Sequence, residues 1–551
     1  MGSSAADSSE FNEPLTPLGR FFLQPEMNQI IHCAMGFTNP INIDAVKSHL
    51  KTSLLLSHPR FSSLLLRHSN GLQHWQKTTP SVDLDRHIVV INNPVLTTSP
   101  SVDHETAVNA YLADLSTTSA GILGTDVDKP LWELHLLMAH NCGVFRIHHA
   151  LGDGMSLMSL FLASFREVDQ KDDEEKGLGG GFVKEVRLVN GEEKNINIPT
   201  LASAGGKRSK RLVGFTGGKR SWVWLLEFVE MLWFNMVFVV EFLMRCLWLS
   251  DQKTEISGGN GVELWPRKLA TARFCLHDMK LVKKTVPNAH EAFWELTGFE
   301  FHRNSKVKQT INDVLVAVVS SGLSIYLSHQ TPKVQWHSIT YLNLNPIVLP
   351  VSFVRGTSNY WAGHGKFKTA AWNGGLGRLT NRVKVSDMMK SSGSSWGNKF
   401  GMFHLPIHCH KSSGTDPLEC LKRNKVMLDR KKKSVEAHFS NKIACFVMTY
   451  FGQKIATWFL YRLVCNASFT ISNIVGPQEE LALGGNPVTY LRINASSLPQ
   501  ALVMHLVSYA ERADLQILVT KDIIPDPAFL AKCFEEALLD MKEAAAAIGR
   551  T

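Results

Sequence analysis

Seven consecutive residues constrain this chain more than any others: His148-His149-Ala150-Leu151-Gly152-Asp153-Gly154. A mostly apolar run, Cys142 to Ile147, leads in, and a second, Met155 to Phe165, leads out. The first has the length of a strand. The second repeats Met155, Met158, Phe161, Leu162 and Phe165 at helical spacing. Two glycines permit a bend that side chains would obstruct. The local fold is therefore strand, tight turn, helix, with both histidines at the strand end, where a rigid scaffold can carry a reactive loop.

The residue types suit proton transfer. An alcohol must lose its proton as it attacks a thioester carbonyl, and a neutral imidazole is the usual base near neutral pH. His149 is the candidate base. His148 packs behind it or assists, Asp153 orients the loop through a buried ion pair or hydrogen bond, and Gly154 opens the helix. The competing reading is a strand end with two hydrogen-bonded core histidines.

The remaining chain reads as a large enzyme. Its 551 residues and 44% hydrophobic content allow sizeable cores. The net charge of +9 suits anionic coenzyme A or an anionic membrane face. No aromatic–basic array or zinc spacing accompanies that charge, which disfavours nucleic acid. Nine cysteines without a CxxC pattern point to reduced thiols and a cytosolic active face. The N-terminus lacks the apolar segment of a signal peptide. His408-Cys409-His410 has no partner ligands at zinc spacing, so no metal is expected. Gly393 to Gly397 satisfies GxSxG around Ser395, but no buried strand precedes it.

Helices are expected over Ile41–Leu56, with Lys47 and Ser48 facing out, and over Thr106–Leu115. Strands are expected at 71–76 and 87–91, and Leu131–Met138 with Val144–His149 reads as a hairpin. Near the end, Leu502–Tyr509 and Leu515–Thr520 pair. Asp526 and Pro527 then start a helix over 528–547, with Phe529, Cys533, Phe534, Ala537 and Leu538 on one face. Asn312 reads as an N-cap for an apolar helix from Val314 to Leu327, and His505 as a structural strand residue. The division expected is an N-terminal subdomain at 1–165, a flexible linker at 166–220, a helical region at 221–263 and a C-terminal subdomain at 264–551. Ser221 to Leu249 is very apolar, yet Glu227, Glu230, Asn235, Glu241 and Arg245 fall on one side of a helix. That pattern favours an amphipathic helix on a membrane or against the core over a single span.

HHxxxDG marks the CoA-dependent acyltransferases of the condensation-domain superfamily, and the chain resembles the plant wax ester synthase/diacylglycerol acyltransferases within it. Pro14-Leu15-Thr16-Pro17, Pro130-Leu131-Trp132-Glu133, Asn312-Asp313, Trp396-Gly397-Asn398 and Ser472-Asn473-Ile474-Val475-Gly476-Pro477 stand in the family's order. The DFGWG ending of the soluble plant acyltransferases is missing. The resemblance implies a mixed α/β fold of two chloramphenicol-acetyltransferase-like subdomains with a tunnel between them. It implies transfer from long-chain acyl-CoA, a co-substrate, to a fatty alcohol or diacylglycerol, without other cofactor, on the cytosolic face of the endoplasmic reticulum or plasma membrane. Asn312 and Asp313 would support the active centre or coenzyme A, and Ser472 and Asn473 would line the tunnel. For both pairs a purely local role, as cap or turn, remains open. Two other functions stay in view: a soluble acyltransferase on a polar acceptor, and a catalytically impaired lipid-binding relative. Segments 289–306 and 347–380 depart from the family pattern, as surface loops or gene-model artefacts, and Asn345 stands where the family has arginine.

Overall fold

The structure is a computed structural model that describes residues 12–67, 73–77, 82–95, 103–117, 128–165, 217–250, 253–285, 310–330, 396–398, 400–402, 405, 407, 416–433, 436–496 and 498–548. The expected linker up to 216, both departing segments, Asn345, Ser395 and His408-Cys409-His410 lie outside the described residues. Contacts group 1–167 with 234–551 as one unit and 168–233 as another.

The strands are β1 (Asn12–Pro14), β2 (Ile30–Phe37), β3 (Ser63–Arg67), β4 (Gln73–Lys77), β5 (Ile88–Ile91), β6 (Trp132–Leu137), β7 (Cys142–His148), β8 (Arg267–Cys275), β9 (Phe469–Val475), β10 (Ala482–Leu483), β11 (Asn486–Ala495), β12 (Leu502–Tyr509) and β13 (Arg512–Thr520). The helices are α1 (Pro17–Phe21), α2 (Ile43–Thr52), α3 (Leu54–Ser57), α4 (His104–Thr117), α5 (Gly154–Phe165), α6 (Gly217–Leu247), α7 (Leu276–Thr285), α8 (Ile311–Gln330), α9 (Pro417–Lys433), α10 (Glu436–Tyr450), α11 (Gln453–Cys465) and α12 (Pro527–Ile548).

Two sheets carry the main unit. One has the order β10-β11-β2-β7-β6-β5, the other β8-β13-β12-β9, and a small sheet β1-β4-β3 accompanies them. The expected hairpins are present: β6 pairs antiparallel with β7, and β12 with β13. The sheet bearing the histidine turn is not built from the N-terminal half alone. β11 crosses over and pairs antiparallel with β2, Asn494 opposite His32, so a boundary at 264 does not separate the sheets.

Each sheet carries a polar row at one register level. On the first, Asn494, His32, Arg146 and Glu133 are neighbours across β11, β2, β7 and β6. On the second, Ser472, His505, Gln516 and Thr271 are neighbours across β9, β12, β13 and β8. Apolar residues beside these rows, Ala34 and Val144 from one sheet, Val503, Leu518 and Leu269 from the other, share one core cluster. The sheets therefore pack through faces that are polar in part.

The expected helix over 41–56 is broken at Ser53, whose extended backbone ends α2 and whose hydroxyl donates to the Leu50 carbonyl at 2.7 Å. Ser48 is exposed, and Lys47 pairs with Asp85. α5 buries Met158, Phe161 and Phe165 fully and Met155 and Leu162 in part. α12 starts as expected, with the Asp526 carboxylate accepting from the Phe529 amide at 3.0 Å. Among the described residues, the helix that meets the length and hydropathy of a membrane span is α8, and 72% of it is buried inside the protein.

Candidate active site

The turn after β7 is held by its own backbone and by three distant segments. His148 is fully buried. Its Nδ1 accepts from the Ala150 amide at 3.1 Å, so its proton lies on Nε2, which donates to Asn28 Oδ1 at 3.0 Å. Both ring nitrogens are thereby used. Burial, and then the neighbouring His149, lower its pKa to about 3, so it stays neutral. It packs behind His149 and braces the turn.

His149 is half-buried and is the exposed member of the pair. Its amide donates to the Gln29 carbonyl at 2.9 Å. Its ring stacks on Phe22 with centroids 3.9 Å apart and planes 20° apart. Nδ1 lies 2.9 Å from Asn398 Oδ1, while Asn398 Nδ2 donates to the His149 carbonyl at 2.8 Å. That second bond settles which end of the amide faces the ring. Nδ1 must then carry the proton, and the lone pair lies on Nε2. Burial lowers the His149 pKa, against the opposing pull of the Asp153 carboxylate and the Asn398 bond.

Asp153 acts as the N-cap of α5, accepting from the Ser156 amide at 2.9 Å. This is a hydrogen bond of the kind expected for it. Gly154 is the first helical residue, and a Cβ there would stand 3.0 Å from Ile474 Cδ1. Strand β9 therefore packs directly on the start of α5.

The Trp396-Gly397-Asn398 segment clamps the turn. Trp396 Nε1 donates to the Leu151 carbonyl at 2.8 Å, and a Cβ on Gly152 would meet the indole at 3.2 Å. Gly397 has φ +111°, a conformation that side chains resist, and this turns Asn398 back toward His149. Arg60 donates to the same Leu151 carbonyl at 3.3 Å and forks onto Glu13 at 3.1 and 2.7 Å. Glu13 adjoins the Pro14-Leu15-Thr16-Pro17 opening, whose Thr16 caps α1 through the Gly19 amide. α1 in turn delivers Phe22 to the imidazole. Leu131 accepts from the His148 amide at 3.0 Å, and Trp132 donates to the Phe61 carbonyl at 3.0 Å.

Asn312 accepts a hydrogen bond from Asn473, so two residues singled out separately in the sequence are in contact. Asp313 instead bonds the Thr310 amide at 2.7 Å, closing the first turn of α8. The helix starts at Ile311, so the cap is Thr310 rather than Asn312. Ser472 is buried and stands beside His505. His505 was expected to be structural. Burial, and then His149, lower its pKa to about 4. Its Nδ1 and the His32 Nε2 are buried without hydrogen-bond partners. Asn398 is the residue that sequence reasoning passed over: its tripeptide was noted as a signature, but its contact with His149 was not. Among the described residues no group of three or more His, Cys, Asp and Glu side chains is placed to hold a metal.

Residues 396–542 match the family described as the WS/DGAT C-terminal domain. The chain is 30% identical to wax ester synthase/diacylglycerol acyltransferase 5 of Arabidopsis thaliana over 550 residues, covering 97% of this chain and 94% of that one. It is 28% identical to acyltransferase 11 of the same name and organism, covering 97% and 95%. Among solved structures, the wax ester synthase/diacylglycerol acyltransferase of Marinobacter aquaeolei VT8 superimposes with a TM-score of 0.50 at 15% identity, covering 97% of this chain and all of that one. A trichothecene 15-O-acetyltransferase from Fusarium sporotrichioides gives 0.51 at 10% identity, covering 99% and 97%. These two likenesses show a shared acyltransferase fold.

Proposed function

This chain belongs to the wax ester synthase/diacylglycerol acyltransferase family, and from that premise we propose that it transfers a long-chain acyl group from acyl-CoA to the hydroxyl of a fatty alcohol or diacylglycerol, with His149 as general base. The observation that carries the assignment of the base is the Asn398 clamp, which leaves an unprotonated Nε2 on a fixed ring. The acceptor hydroxyl gives its proton to Nε2 as its oxygen attacks the thioester carbonyl. The tetrahedral intermediate then collapses, the carbon–sulfur bond breaks, and the imidazolium returns the proton to the departing thiolate. The step moves one acyl group and one proton, and acyl-CoA is its co-substrate. Phe22 and Asn398 hold the ring, while His148, Asp153 and Trp396 hold the turn. Asn312, Asn473 and Ser472 are assigned to the supporting shell on the strength of their family motifs and the Asn312–Asn473 contact.

His149→Ala should lower transfer of labelled acyl groups to hexadecanol or diacylglycerol by about 10²–10⁴-fold. A variant as active as the parent would refute the role.

The reaction is assigned to a membrane surface, on the cytosolic face of the endoplasmic reticulum. The support is the orientation of α6 beyond residue 234. Arg245 is 1% exposed and bonded to Glu241 at 3.1 Å, and Phe242 and Cys246 pack inward, whereas Met236, Val240, Leu243 and Leu247 face out. A helix that turns its arginine inward and its aliphatic side chains outward suits an apolar surrounding. Fractionation of cells expressing the full chain should recover it with microsomes.

A further inference from the structure

The α10–α11 hairpin carries surface features that acyl transfer does not use. From Ala437 to Cys465 it contains no aspartate or glutamate, but it does contain Lys442, Lys454 and Arg462. Its tip is Tyr450-Phe451-Gly452, where Gly452 takes φ +84°. Tyr450 is 74% exposed, and Phe446, Phe451, Ile455 and Trp458 are exposed with it. Phe446 lies with its ring centroid 4.8 Å from that of Tyr450 and 6.1 Å from that of Phe451, both pairs tilted, so the three rings form one cluster. Lys442 and Lys454 are exposed, and the Arg462 guanidinium lies 5.5 Å over the Trp458 ring. The opposite side of the hairpin is anchored, since Met448, Ala456 and Val464 join the core between the sheets.

Two connections set its context. Arg462 donates to the Leu247 carbonyl at 2.8 Å, and Phe242 and Cys246 cluster with Leu463, which joins the hairpin to the inward-facing side of α6. Gln24 donates to Gln453 Oε1 at 2.8 Å, and Gln24 lies two residues beyond Phe22, the ring stacked on His149. The exposed tip is thus coupled through one short segment to the base.

We propose that the α10–α11 hairpin docks this protein on an anionic lipid bilayer. The side chains of Phe446, Tyr450, Phe451, Ile455 and Trp458 enter the boundary between headgroups and acyl chains, and Lys442, Lys454 and Arg462 meet the phosphates. Aromatic rings with a polar rim belong in that zone, and each basic residue near the surface adds attraction to negative lipids. Charge selects a bilayer over a second copy of the chain: from Ala437 to Cys465 the hairpin is basic and carries no acid, so two copies of this stretch placed face to face would repel. The acyl-transfer reading supplies only the reason for docking, since both proposed acceptors dissolve in bilayers. Binding is measured without any acyl transfer, so either reading can fail while the other stands.

The test is sedimentation of the full chain with phosphatidylcholine vesicles, with and without phosphatidylserine. The parent should sediment strongly only when phosphatidylserine is present. Lys442→Glu/Lys454→Glu should bind about tenfold more weakly. Tyr450→Ser/Phe451→Ser/Trp458→Ser should bind about a hundredfold more weakly. Both should keep the parent's transfer rate on detergent-dispersed acceptor. If the triple variant does not fold, the charge variant decides, because its two sites are exposed. Equal binding by parent and charge variant overturns the proposal. So does binding that is indifferent to phosphatidylserine, or a dimer in solution that the substitutions dissociate.

Discussion

Asn398 decides what His149 can do. An imidazole at a strand end has two tautomers, and only a partner of known orientation selects one. Here the amide is oriented by its bond to the His149 carbonyl, and the ring's free nitrogen follows from that. The acid limb of kcat/KM should lie below the usual imidazole value of about 6.5, because burial lowers the His149 pKa. Asn398→Leu removes one of the interactions that oppose burial, so it should move this limb to lower pH and lower kcat by on the order of 10²-fold. Asn398→Asp places a carboxylate on Nδ1 and should move the limb the other way. A pH–rate profile of the pair is the check, and two unshifted limbs would sink the role. The candidate base was legible in the sequence because a strand, two histidines and a glycine turn are local. Asn398 was not, because its hydrogen bond spans 249 residues and leaves no local periodicity.

The elements divide in the same way. β6, β7, α5, β12, β13 and α12 follow from alternation, helical spacing and caps, and all lie close to where the sequence puts them. The 41–56 helix went wrong at Ser53, where a side-chain bond to the preceding turn competes with helix continuation. β11 was not singled out in the sequence, and its partner β2 lies far away along the chain. That pairing has a tight point: a Cβ on Gly36 would stand 2.1 Å from Tyr490 Cε1, and the Tyr490 ring is held under Arg492 at 4.4 Å. Gly36→Ala should therefore destabilise the protein by about 1–3 kcal/mol. Thermal unfolding measures this, and an unchanged midpoint would show that the ring moves aside freely.

The whole molecule carries an unusual load of neutral buried histidine. Burial is the dominant cause in each, and it lowers His32 and His148 to about 3 and His87 and His505 to about 4. Unfolded, these groups titrate near 6.5, so below that pH the unfolded chain takes up protons that the folded one refuses. Their contribution is intact above pH 6.5 and is lost as pH falls toward 4 and then 3, at up to about 1.4 kcal/mol per pH unit for each group. Glu133 has the same sign in a lower window. Its pKa falls to about 2, against its burial, through His135, Lys129 and Arg146, so its share is lost only below the usual carboxylate range. Unfolding midpoints should thus drop steeply between pH 6.5 and 4.5, before carboxylates contribute, and His32→Gln should flatten the slope. A flat profile over that range would contradict the neutral buried state.

The strand–turn–helix and the pair of histidines at its turn were settled by the chain alone, because each depends on neighbours a few residues apart. Tertiary structure decided which tautomer the His149 imidazole adopts, which strand completes its sheet, and that Phe22 stacks on it. Those outcomes depend on surfaces brought together from opposite ends of the chain, where burial and hydrogen-bond geometry act and sequence spacing carries no information.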